Sequence, residues 1–272
     1  MLLAAAREPP GIYLKNIRAY TIRFWWLHLA LPLLLALLLV FVYPSTGIDS
    51  WLIARFYDAN SLNFPLKSDW FLERILHQGL KDLMVLISLV MLALWLLGLK
   101  LCGSATHYLR STLNLQLGAY AKPKWLLDYH RQFLWVFIAM LVSTSAISIL
   151  KHMSNHACPW DLLFYGGHQV LIPLFGSLPV GATPGHCFPG GHASGGFALI
   201  AFYFAFRDSV PKLATAGLVV ATVFGSVMGW AQMMRGAHFM SHNLWTAWIV
   251  WMLVLGLYLL WPPQSVARHR QS

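Results

Sequence analysis

Four polar positions in this chain have the types and spacing to cleave a phosphate ester. His192 follows a Pro189-Gly190-Gly191 turn and opens a long apolar run. His238 lies three residues after Arg235 and four before His242. Lys151 ends another apolar run. A helix N-terminus has unsatisfied N–H groups and a positive dipole end, and glycine lets an anion approach its backbone. A lysine and an arginine neutralise phosphate oxygens, the arginine with a bidentate fork. Two histidines supply the nucleophile and the proton donor that the cleavage needs. Taken singly, each histidine reads as an interfacial side chain and each glycine as a plain loop-to-helix turn. The cluster argues otherwise: seven of the twelve histidines lie between His152 and His242.

These groups must be held by membrane helices. Of the 272 residues, 58% are hydrophobic and only 10% charged, against about 25% charged in a soluble domain. Six apolar runs without Asp, Glu, Lys or Arg are candidate spans: Phe24–Tyr43, Leu83–Leu99, Gln132–Leu150, Gly191–Phe206, Leu213–Met234 and Leu244–Trp261. The pattern predicts an all-α, polytopic six-helix bundle, with no alternation of the barrel type. The first run exceeds a signal-peptide core and reads as a retained span. Between the first two spans, "SWLIARFYDA" and "DWFLERILHQGL" read as short amphipathic helices on the outer face. The organisation expected is an interfacial or cytoplasmic segment at 1–23, a membrane domain at 24–261 and a cytoplasmic tail at 262–272.

Charge orients the bundle. With alternate non-membrane segments grouped by side, thirteen of the 19 Lys and Arg fall on the side of the termini, with three of the nine acidic residues. The positive-inside rule then places both termini in the cytoplasm. The net charge of +10 is therefore a topology signal that also suits anionic head groups, not a nucleic-acid footprint. His192, Lys151, Arg235 and His238 all fall at the outer side, where intramembrane ionisable groups mark function.

The same residues resemble the membrane-bound branch of the type 2 phosphatidic acid phosphatase (lipid phosphate phosphatase) superfamily, whose motifs are K-x6-R-P, P-S-G-H and S-R-x5-H-x3-D. Here they read "KHMSNHACP" (Lys151 to Pro159), "PGGH" (Pro189 to His192) and "AQMMRGAHFMSH" (Ala231 to His242). The likeness spans roughly residues 50 to 260. Cys158 stands in the arginine position of the first motif, Gly190 in the serine position of the second, Gln232 in the arginine position of the third and His242 in the aspartate position. Arg235, nearly one turn from Gln232, is placed to take over its contact.

The resemblance implies a lipid phosphatase acting without metal or other cofactor at the outer face of a bacterial-type inner membrane. It implies His238 as nucleophile, forming a phosphohistidine. His192 is then the acid and base, with Lys151, Arg235 and the Gly190 and Gly191 amides on the phosphate. His242 orients His238, and Asp161 is an alternative orienting group or a turn cap. Trp160, Phe164, Tyr165, Phe188 and Phe239 either border the entrance or form an interfacial belt. The substrate implied is an amphiphilic lipid phosphate taken from the bilayer. Cys158 and Cys187, both on the oxidising side, could form a disulfide or remain two thiols, while Cys102 is expected at the reducing inner face. Two other activities fit: phosphoryl transfer to a second lipid, and metal or haem binding by the i,i+4 pairs His152/His156 and His238/His242.

Overall fold

The computed structural model describes residues 20–102 and 123–263. The N-terminal segment up to residue 19 and the tail from residue 264 lie outside them, as does the side chain of Cys102. The described chain is helical. Helix α1 is Ile22–Phe41, with a π-helical stretch at Trp26–Ala30. A short α2 follows at Ile48–Ile53. Then come α3 (Phe71–Leu101), α4 (Lys124–His152), α5 (Gly191–Phe206), α6 (Pro211–Met234) and α7 (Met240–Leu260).

Five of these, α1, α3, α4, α6 and α7, are long and apolar enough to cross a membrane. The fourth expected run, α5, is shorter and divides into Gly191–Phe197 and Ile200–Phe206. The expectation of a separate amphipathic helix in "DWFLERILHQGL" is corrected. Phe71–Gly79 is a π-helical stretch that continues directly into Leu80–Cys102, so it extends a span at its N-terminal end. "SWLIARFYDA" does give a short helix, α2, ending in a 3₁₀ turn at Ala54–Phe56.

The molecule is built outside-in. Leu33, Leu34 and Leu37 of α1, Leu86 and Leu89 of α3, and Val219 and Val223 of α6 are exposed. Gln132, Ser143, Gln232, His238, His242, Asn243 and Thr246 are buried. That distribution suits a hydrocarbon solvent, where polar groups must find partners inside the protein. The core joins α4, both halves of α5, α6 and α7. Helices α5 and α6 meet at glycines: a Cβ on Gly196 would lie 2.4 Å from the Gly225 nitrogen, and one on Gly225 would meet the Phe197 ring at 2.3 Å. Close backbone approach of this kind is how packing replaces the hydrophobic effect between membrane helices.

Candidate active site

The end of α6 shows how local sequence places a functional side chain. Gly236 has φ +77°, a conformation glycine adopts without Cβ strain. Its N–H donates to the Met233 carbonyl at 2.9 Å, and that of Ala237 to the Gln232 carbonyl at 2.8 Å. This is a Schellman stop, and it reverses the chain so that His238 turns back against the bundle. A Cβ at Gly236 would also strike the Phe64 ring, 2.5 Å away. The Gly236 carbonyl accepts from the Trp160 N–H at 3.0 Å, which ties the first-motif loop to the third-motif turn.

Lys151 at the end of α4, Gly191 and His192 at the start of α5, Arg235 at the end of α6, and His238 all line one cavity of about 900 Å³. Below them its walls are largely apolar and come mainly from α3 and α4, including Met84, Leu89, Phe137 and Met140. Gly191 packs on Lys151, whose Nζ would lie 3.7 Å from a Cβ there.

The two histidines face their neighbours in distinct ways. Nε2–H of His192 donates to the Leu76 carbonyl at 2.9 Å, which leaves the lone pair on Nδ1. His238 Nδ1 lies 3.3 Å from Nδ1 of His242. If His242 accepts there, the free lone pair of His238 is on Nε2. Burial holds His238 well below the ordinary imidazole range, and the neighbouring His242, Lys151 and His192 act in the same direction. It is therefore neutral at pH 7, the form that can attack phosphorus.

Arg235 is firmly held. Its Nε donates to the Lys67 carbonyl at 2.9 Å, Nη1 lies 3.5 Å from Gln232 Oε1, and Nη2 is 3.6 Å from Glu73 Oε2. The segment between α1 and α3 thus roofs the site. The first turns of α3 bring two cavity-lining groups that the motifs do not contain, His77 and Lys81. The rings of His77 and His192 are 4.4 Å apart. The i,i+4 spacing of His77 and Lys81 at one end of a span was a legible sign of a shared face.

Several expectations are corrected. The Gly190 N–H is already used, donating to the His242 carbonyl at 3.2 Å, so it is no phosphate donor; Gly191 remains. Asp161 accepts from the Trp160 indole at 3.0 Å, and its backbone carbonyl accepts from His168 and Gln169. It caps its turn and does not orient His238. Of the aromatic candidates, Trp160 borders the cavity. Phe188 lines a separate cleft, Phe239 is buried, and Tyr165 packs on Tyr57 and Phe64. Cys158 and Cys187 form a disulfide, with Cα atoms 5.2 Å apart.

The pairs suggested for metal or haem do not supply a ligand set. Helix α4 ends at His152. His152 stacks on His186, while His156 is bonded to Ser154 and the Pro173 carbonyl, so these two diverge. Cys187, His238 and His242 do bring ligand atoms within 4.8 Å of one another. The sulfur is in a disulfide, however, and has no thiolate to offer.

The PAP2 superfamily model matches residues 132–265. This chain belongs to the PAP2 superfamily. The matched stretch runs from α4 through α7 and contains Lys151, His192, Arg235 and His238, while α1 and α3 precede it. No curated protein and no solved structure gives a significant match. The PAP2 superfamily comprises phosphatases in general, and with its apolar helices this chain is a multi-pass membrane member.

Proposed function

We propose that this PAP2 protein removes phosphate from an amphiphilic phosphomonoester or pyrophosphate at the outer face of the membrane. One observation carries the reading: Lys151, Gly191, His192, Arg235 and His238 meet at the polar head of a cavity whose walls are otherwise largely apolar. From Lys151 to Phe137 is fourteen residues along α4, about 21 Å at 1.5 Å per residue. The phosphate would sit at the head while the tail lies between α3 and α4. At 16 residues α5 is about 24 Å long, less than the ~30 Å hydrocarbon thickness.

In this reading His238 attacks phosphorus through Nε2. The P–O bond to the leaving group breaks as the P–N bond forms. His192 accepts through Nδ1 the proton that a phosphomonoester monoanion brings and passes it to the departing alkoxide, then takes a proton from the water that releases phosphate. Lys151, Arg235 and the Gly191 amide hold the equatorial oxygens, supplying fixed positive charge where other phosphoryl-transfer enzymes use metal ions. His242 holds the Nδ1–H of His238 and so keeps its tautomer.

The test is phosphate release by purified protein from a panel of lipid phosphates, comparing His238→Ala with His242→Ala and trapping the phosphoenzyme. His238→Ala should abolish turnover. His242→Ala should lose about 10²–10⁴-fold and keep a measurable remnant. Phosphohistidine at residue 242, or full activity in His238→Ala, would overturn the assignment. Phosphorylated lipid in place of free phosphate would make the enzyme a phosphotransferase.

A further inference from the structure

The disulfide lies against the catalytic histidines, and its two sulfurs face different surroundings. Cys158 lines the cavity, whereas Cys187 is fully buried. Cys187 Sγ is 3.5 Å from Nδ1 of His238 and 2.9 Å from the Ala237 carbonyl oxygen. A disulfide sulfur carries no proton, so both are packing contacts in the oxidised protein. His238 Nδ1 is in turn 3.3 Å from His242 Nδ1.

Those separations have a second meaning. Zinc binds imidazole nitrogen at 2.0–2.1 Å and thiolate sulfur near 2.3 Å, so a tetrahedral centre spaces two nitrogens by about 3.4 Å and nitrogen from sulfur by about 3.6 Å. The observed 3.3 and 3.5 Å match, and the three ligand atoms lie within 4.8 Å of one another. What the oxidised protein lacks is the thiolate. We propose that reduction of the Cys158–Cys187 bond makes Cys187, His238 and His242 a buried thiolate–bis-imidazole site for a tetrahedral divalent metal such as zinc.

The chemistry balances with a dithiol as reductant. A thiolate entering through the cavity attacks Cys158 Sγ, the S–S bond breaks, and Cys187 leaves as thiolate. The second thiol of the reductant resolves the mixed disulfide, so the dithiol is oxidised and two cysteine thiols result. Metal binding then displaces one proton from Cys187. Coordination through Nδ1 of His238 also fixes its remaining proton on Nε2. The nitrogen assigned the attack on phosphorus would lose its lone pair, which makes the metal an off-switch. That consequence rests on His238 as nucleophile; the metal site itself does not.

The test uses cobalt(II) as a spectroscopic stand-in for zinc on purified full-length protein. Oxidised wild type should give no thiolate-to-cobalt charge-transfer band. Dithiol-reduced wild type should give one at a single equivalent, and so should Cys158→Ser, in which Cys187 is free without reductant. Zinc should abolish the band. Its absence from both reduced wild type and Cys158→Ser would overturn the proposal, as would its persistence in Cys158→Ser/Cys187→Ser. Zinc should also lower phosphate release by Cys158→Ser more than about tenfold. A band with undiminished release would support the site and instead overturn His238 as the nucleophile.

Discussion

At the residue scale, His238, the nucleophile of the proposed reaction, is kept neutral by burial. A charged imidazole is disfavoured among His242, Lys151 and His192, so the neutral form persists below the usual pKa of about 6.5. The acid limb of turnover should therefore fall below pH 6.5, and kcat against pH measures it. Stability has the same sign: the folded state resists protonation while the unfolded chain does not. This contribution is complete above about pH 6.5 and declines as pH falls toward the folded value. His238→Phe should flatten part of that acid slope in thermal melts. A second residue-scale prediction concerns Gly190, which stands where the family has serine. A Cβ there would lie 2.7 Å from Asn243 Oδ1, and the Asn243 amide has no hydrogen-bond partner among the described residues. Gly190→Ser should lower activity and melting temperature, and Asn243→Ala should restore much of both. The cycle should give a coupling of about 0.5–3 kcal/mol. Lys151, His192 and His238 were legible because their spacing is local to each motif. Asn243 was not, because only the packing of α7 on α5 and α6 brings it to Gly190.

At the scale of elements, hydropathy located all six apolar helices, and the one that matters most for the site gave the weakest signal. Helix α5 is short and carries few large residues at its mouth, so it reads weakly as a span. The reason is the Gly196–Gly225 crossing, which trades side-chain bulk for backbone proximity. Gly225→Leu should force α5 away from α6, costing about 1–3 kcal/mol of stability. It should also reduce turnover by displacing His192, and both effects are measurable on one preparation. The π-helical extension of α3 escaped periodicity for a related reason. Its amphipathic pattern suits an interfacial helix equally well, and only the docking of Arg235 on Lys67 and Glu73 draws it over the site. On the opposite side of the membrane, α1 is joined to the family core by a polar cluster. His28 Nε2 lies 2.6 Å from the Tyr203 hydroxyl, and Trp251 donates to the His28 carbonyl at 2.9 Å. This anchor lies outside every catalytic motif, and motif spacing gave no sign of it.

At the scale of the whole molecule, the ends of α4 and α6 and the starts of α5 and α7 lie together, so the fold fixes which groups share a face. It does not by itself fix which compartment that face meets. Charge argues for one answer: the termini share their side with thirteen of the 19 basic residues, and the site shares its side with six of the nine acidic ones. Anionic lipid and the membrane potential both retain Lys and Arg on the cytoplasmic side. The disulfide gives independent support, since Cys158 and Cys187 are at the site end and disulfides persist in oxidising compartments. A reporter fused after Ser272 should therefore be active only if it reads the cytoplasm, and one inserted at Gly181, an exposed loop glycine with φ +83°, only if it reads the outside. The paired fusions discriminate better than either alone. An inverted bundle would exchange both signals, whereas loss of one span would place both on the same side. Inversion would also put the disulfide in a reducing compartment. The metal-bound state proposed for Cys187, His238 and His242 would then be the resting state of the enzyme, not its reduced exception.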